Sequence, residues 1–190
     1  MDSTLELDAI ETPLRSKIKL YKKRAGEIEA YLSKKPDEWG KFQSKFNQEV
    51  NNIFREIMNF EKVNFSNGQE EKVYKLKRIF VNRFRELFSN GVYGPWSIRK
   101  PFGYAGDFKI IDDIYLNNTT TTGFERLFDN YFQMSAISVA VRNRKEDFKR
   151  FIVNFINGER GCKLKIMNLA SGPCRDVKEI LCSDAALCKN

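Results

Sequence analysis

Apolar residues recur along the first half of the chain at alternating steps of four and three. Leu14, Ile18, Tyr21, Ala25, Ile28 and Leu32 form the first stripe, the pattern of a helix with one buried face. Thr12 followed by Pro13 predicts its start, with the threonine as N-cap and the proline at the first helical position. Lys34, Lys35 and Pro36 predict its end. The spacing returns in Trp39, Phe42, Phe46, Val50, Ile53, Ile57 and Phe60, a second helix capped by Asp37 and closed at Ser66-Asn67-Gly68. A third stripe, Val73, Leu76, Phe80, Phe84 and Leu87, predicts a helix from about Glu70 to Ser89, stopped by Asn90-Gly91. Three long amphipathic helices joined by short turns predict an antiparallel bundle, completed by a later helix. Core packing accounts for these aromatic stripes without any binding role.

The pattern then changes. Val92 to Gly106 places Gly94, Pro95, Pro101 and Gly103 among Tyr93, Trp96, Arg99, Lys100, Phe102 and Tyr104. Such a composition predicts a loop that packs as a joint between domains or binds a ligand. Asp107 caps a short helix carrying Ile110, Ile111, Ile114 and Tyr115. Asn117 to Thr122 is a polar loop, and a further short helix covers Phe124 to Phe132. Ser135 or a neighbour starts a longer helix with Val141, Phe148, Phe151, Ile152 and Phe155, ending at Asn157-Gly158. Leu164, Ile166, Met167 and Leu169, set around two lysines, predict a strand from Lys163 to Leu169, followed by a small-residue turn and a last helix.

Composition sharpens this picture only in part. Apolar content of 42%, with 16 Phe, is ample for a folded core and argues against disorder. The formal charge of +8 is spread over several helices, so nucleic acid is not an expected partner. Cys162, Cys174, Cys182 and Cys188 contain no CxxC pair, and the chain has no histidine, so no metal site is expected. No apolar run approaches the ~18 residues of a membrane span, and no signal peptide precedes the first helix. A reducing cytoplasm with free thiols is the expected setting.

The turn Asn168-Leu169-Ala170-Ser171-Gly172-Pro173-Cys174-Arg175-Asp176 carries the candidate chemistry. Small residues there let a ligand approach the backbone, and free N–H groups at a helix start favour oxygen or carboxylate partners. Those are the needs of a nucleoside cofactor; a plain strand-to-helix turn is the other reading of the same residues. A strand, turn and helix of this kind form the first unit of a doubly wound sheet, which needs further βα units to bury both faces. The chain is therefore read as the front part of a longer enzyme.

The turn resembles the first motif of the class I S-adenosylmethionine-dependent methyltransferases, in the form L-A-S-G-P-x-R. Upstream, Arg99 to Asp107, Ile110 to Tyr115, and Ala140-Val141-Arg142-Asn143-Arg144 are similar to one bacterial branch of them. That branch has a helical N-terminal region, a K/R-P-x-G-Y-A-G-D loop and a V-R-N-R helix, and includes enzymes that make a 3-hydroxy fatty acid methyl ester signal. The resemblance implies S-adenosyl-L-methionine as cofactor and a small carboxylate or fatty-acid-like molecule as methyl acceptor. It implies that Ala170, Ser171 and Gly172 line the cofactor's methionine part, and that Arg175 meets its carboxylate or braces the turn. Tyr104 and Asp107 contribute from a lid, and Arg142 bridges the two regions. Asn168 stands where many of these enzymes carry an acid. The acid that holds the ribose, and the catalytic residues, are expected beyond Asn190, so the chain as it stands is expected to be catalytically incomplete.

The expected fold class is mainly α: an N-terminal helical bundle over 1–91, a linking loop and helices over 92–158, and over 159–190 the first strand and helix of a truncated Rossmann-like α/β methyltransferase domain. The alternative is a basic helical module that binds nucleic acid, anionic lipid or protein, with Leu14 to Leu32 as its contact. A homodimer is also left open, because the strand has no identifiable partner within the chain.

Overall fold

The computed structural model describes residues 12–83, 90–99, 101, 108–159, 164–169 and 172–183. Every regular element among them is helical: α1 (Thr12–Leu32), a 3₁₀ turn (Pro36–Trp39), α2 (Gly40–Ser66), α3 (Glu70–Arg83), α4 (Tyr93–Arg99), α5 (Phe108–Leu116), α6 (Gly123–Gln133), α7 (Ala136–Gly158) and α8 (Arg175–Ser183). None of the described helices is long and apolar enough to cross a membrane. The chain divides into two compact units, Met1–Pro95 with Thr120–Tyr131, and Trp96–Thr119 with Phe132–Asn190.

In the first unit α1 packs on α2, and α2 on α3. The whole stripe of α1, from Leu14 to Leu32, is buried, against Phe46, Val50 and Ile53 of α2 and Leu76 of α3. The later helix that closes this core is α6, through Leu127 and Phe128. Phe46 sits at the centre, edge-on to Phe128 with ring centroids 4.8 Å apart and to Tyr131 at 6.3 Å. Asp37 does not cap α2: Pro36 opens a 3₁₀ turn, and Asp37 lies within it. Of the third expected stripe, Val73 and Leu76 are buried, whereas Phe84 and Leu87 lie outside the described residues.

The aromatic segment after Gly91 differs from expectation. Tyr93–Arg99 is a helix rather than a loop. Pro95 falls in its first turn, where the missing N–H has no intrahelical acceptor and the ring is tolerated. Its start is held by a carboxylate, since Asp129 accepts the N–H groups of Val92, at 2.9 Å, and Tyr93, at 3.2 Å. The Thr121 hydroxyl donates to the same group at 2.9 Å. Asp129 is only 1% exposed.

In the second unit α5 and α8 both pack on α7. Ser135 caps α7 by accepting the Ser138 N–H. Phe148, Phe151 and Phe155, part of the pattern that predicts this helix, stay exposed. Residues 164–169 form no strand. A strand exists only through pairing, and no described segment of this chain offers an edge. Ile166, Met167 and Leu169 are correspondingly exposed, and Lys163 lies outside the described residues.

Candidate functional site

The elements that carry the three motifs fall in this second unit. Gly172, with φ of +57°, and Cys174, with φ of +52°, bend the backbone on either side of Pro173. The Cys174 carbonyl accepts the Lys178 N–H at 3.1 Å and so begins α8. A Cβ on Gly172 would meet no described atom within 4 Å. The glycine therefore answers to the left-handed backbone rather than to crowding, and it is exposed.

Arg175, the first residue of α8, reaches back to Asp112 of α5. Its Nε bonds Asp112 Oδ1 and its Nη2 bonds Oδ2 at 2.7 Å. Two parallel bonds fix the guanidinium plane as one bond would not. Hydrogen bonding from Arg175 holds the Asp112 carboxyl below its ordinary range, and the same pair holds the Arg175 pKa above its own. The described side-chain bonds of Arg175 are those to Asp112.

Lys145, next to the V-R-N-R run, links α5, α7 and α8. Its Nζ bonds both oxygens of Glu179 on α8, at 2.7 and 2.9 Å, and lies 5.6 Å from the ring centroid of Tyr115 on α5. Lys149 bonds Glu179 as well, at 2.7 Å. Burial alone would raise the Glu179 carboxyl, but these two lysines outweigh it and hold the group low. Arg142 takes a different partner. It donates to the Gln133 side-chain oxygen at 3.0 Å and to the Gln133 carbonyl at 2.8 Å, and Gln133 in turn donates to the Asp113 carbonyl at 3.1 Å.

The structure thus brings Gly172 and Arg175 together at one turn and ties Arg142 to the end of the preceding helix. Tyr104, Asp107, Ala170 and Ser171 lie outside the described residues. Among the described residues no group of histidine, cysteine, aspartate and glutamate could hold a metal ion. A cavity of about 310 Å³ opens in the first unit beside Leu32, Pro36 and Phe124, and contains none of the motif residues.

Asp112, Gln133, Lys145 and Glu179 were not singled out from the sequence. For Asp112 there was a usable signal. In Ile111-Asp112-Asp113-Ile114 two acids compete for Lys109, the one cation within a helical turn of either. Lys109 takes Asp113, at 2.6 Å, which leaves Asp112 for a cation from elsewhere.

Comparison with protein-family models, with curated proteins and with solved structures found no match.

Proposed function

We propose that residues 164–183 carry the opening of the cofactor site of an S-adenosylmethionine-dependent methyltransferase of Rossmann-like fold, with a small carboxylate or fatty-acid-like molecule as acceptor. The observation that supports it most is the Asp112–Arg175 pair. It joins the helix after the K/R-P-x-G-Y-A-G-D run to the helix after the L-A-S-G-P-x-R turn, which are 63 residues apart. In this reading 164–169 is one strand of a sheet whose other strands are not among the described residues.

The residues present fit the group. Gly172 offers an unobstructed backbone, and Arg175 a fixed cation, to an amino-acid moiety bearing a carboxylate. The cofactor, when bound, supplies an electrophilic methyl group. The chain's own task is to bind and orient, because transfer in line from a sulfonium is limited by how well the acceptor is positioned. A carboxylate acceptor is already ionised at neutral pH and needs no general base.

The basic-module reading has less to draw on. In α1, Lys17 pairs with Glu56 and Arg24 with Glu49, so part of that helix's charge is engaged by α2. Calorimetric titration of the full-length natural protein with S-adenosylhomocysteine separates the two. Binding that changes little between roughly 50 and 200 mM salt is the expected result. Absence of such binding, with capture of nucleic acid or anionic vesicles that collapses over the same range, would transfer the assignment to the basic module.

A further inference from the structure

We infer that Asp112 is a positioning residue, which holds Arg175 so that its free edge receives the carboxylate of the cofactor's methionine moiety; this rests on the methyltransferase reading above. A guanidinium has two edges that can each take a carboxylate through a pair of N–H groups. One is formed by Nε with one terminal nitrogen, the other by the two terminal nitrogens. Asp112 occupies the first, through Nε and Nη2. The second, which includes both hydrogens of Nη1, has no partner among the described residues. Arg175 is therefore braced and available at once.

The pair is partly shielded from solvent. The side chains of Arg175 and Asp112 are 23% and 26% exposed, partly shielded yet reachable. Two carboxylates on one arginine would leave a net negative charge; Lys178 lies close enough to act electrostatically on Asp112, whereas Lys109 is engaged by Asp113, and Asp113 and Glu179 also act on Arg175. Lys178 follows Arg175 by three positions, on the same side of α8. Gly172, where an added Cβ would meet nothing within 4 Å, lies three residues before Arg175 in the same turn. Without Asp112 the arginine's four side-chain torsions would be free, and binding would have to order them.

The test compares two ligands in the full-length natural protein: S-adenosylhomocysteine, which has the carboxylate, and 5′-methylthioadenosine, which lacks the amino-acid part. Asp112→Asn is expected to weaken S-adenosylhomocysteine about tenfold, while methylthioadenosine stays within about twofold. Asp112→Glu is expected to recover part of the loss, and Arg175→Lys to resemble Asp112→Asn, because an ammonium cannot serve two carboxylates through fixed edges. Retained methylthioadenosine binding shows that each variant is folded. Unchanged affinity for S-adenosylhomocysteine in Asp112→Asn would overturn the inference and leave the cofactor reading standing. So would equal weakening of both ligands, which is the mark of a merely structural role. Failure of the unmodified protein to bind either ligand would overturn the cofactor reading, and the inference with it.

Discussion

A side chain on Gly91 and the carboxylate of Asp129 would compete for the same space. A Cβ at Gly91 would stand 2.8 Å from Asp129 Cγ and 3.1 Å from the Glu125 carbonyl oxygen. The glycine has φ of +80°, which an L side chain adopts at a cost. Close approach here is what lets Asp129 reach the N–H groups of Val92 and Tyr93.

Gly91→Ala is therefore expected to destabilise the first unit by about 3 kcal/mol. Roughly 1–2 kcal/mol comes from the backbone conformation, and the rest from displacing Asp129 and leaving buried N–H groups unpaired. Gly68→Ala is the control. Its φ is +68°, but nothing lies within 4 Å of the added methyl, so only the conformational cost of about 1 kcal/mol applies. Urea midpoints followed through Trp39 fluorescence measure both. Equal shifts would show that Asp129 moves aside freely.

Asp129 also has a pH signature. Burial pushes its carboxyl above the ordinary range, and the hydrogen bonds from Tyr93, Thr121 and Val92 only partly oppose this. The folded state thus holds the proton more tightly than the unfolded chain. Stability falls as pH rises through the window between the ordinary aspartate range and the raised folded value. Asp112 and Glu179 are shifted the other way, so the contribution is read as a difference. Relative to Asp129→Asn, the unmodified protein is expected to gain stability as pH falls below neutral in denaturant titrations. A flat difference would place the carboxylate in a better-solvated setting.

The reach of sequence reasoning here follows the range of each interaction. The α1 stripe was legible to the residue because amphipathic periodicity is local and the first unit buries all six positions. The α4 helix was not, because Gly94 and Pro95 are breakers by composition, and Asp129, which anchors its start, is 36 residues away. At the candidate site, Gly172 and Arg175 could be read from a contiguous motif. Asp112 could be recognised as one of two acids sharing a single nearby cation, Lys109, but pairing it with Arg175 across 63 residues required the fold. The strand was read from a pattern that is real in the residues, yet its formation depends on partners that the described residues do not supply.

Glu179 tests how firmly α8 is held. Its carboxylate faces Lys145, which is 8% exposed, and Lys149. Because the folded pKa is depressed, the contribution is present above the unfolded value and is lost as pH falls through the folded one. Glu179 is 31% exposed, so solvent screening limits the effect. Glu179→Gln is expected to cost about 1 kcal/mol at neutral pH and nothing in strong acid. Hydrogen exchange of the α8 amides measures it locally. No change in their protection would mean that α8 is held by the Arg175–Asp112 pair and the burial of Ile180 without help from Glu179.

The exposed segment 164–169 yields the sharpest difference between readings. Its backbone groups have no sheet partner among the described residues, and Met167 and Leu169 are 80% and 77% exposed. As a monomer, this 190-residue chain is expected to exchange these amides nearly as fast as an unfolded peptide, while mid-helix amides of α2 are protected. In the methyltransferase reading the same amides lie in a paired strand of the full-length natural protein. Leu164 and Ile166 would then face one side of its sheet, and Met167 and Leu169 the other, the apolar-on-both-sides pattern of a buried parallel strand. Protection there should rise to the level of α2. Protection that instead appears in this chain only as its concentration increases would identify strand pairing between copies, the behaviour of an uncovered edge. Fast exchange in the full-length protein under all conditions would remove the sheet, and with it the structural basis for a cofactor at this turn.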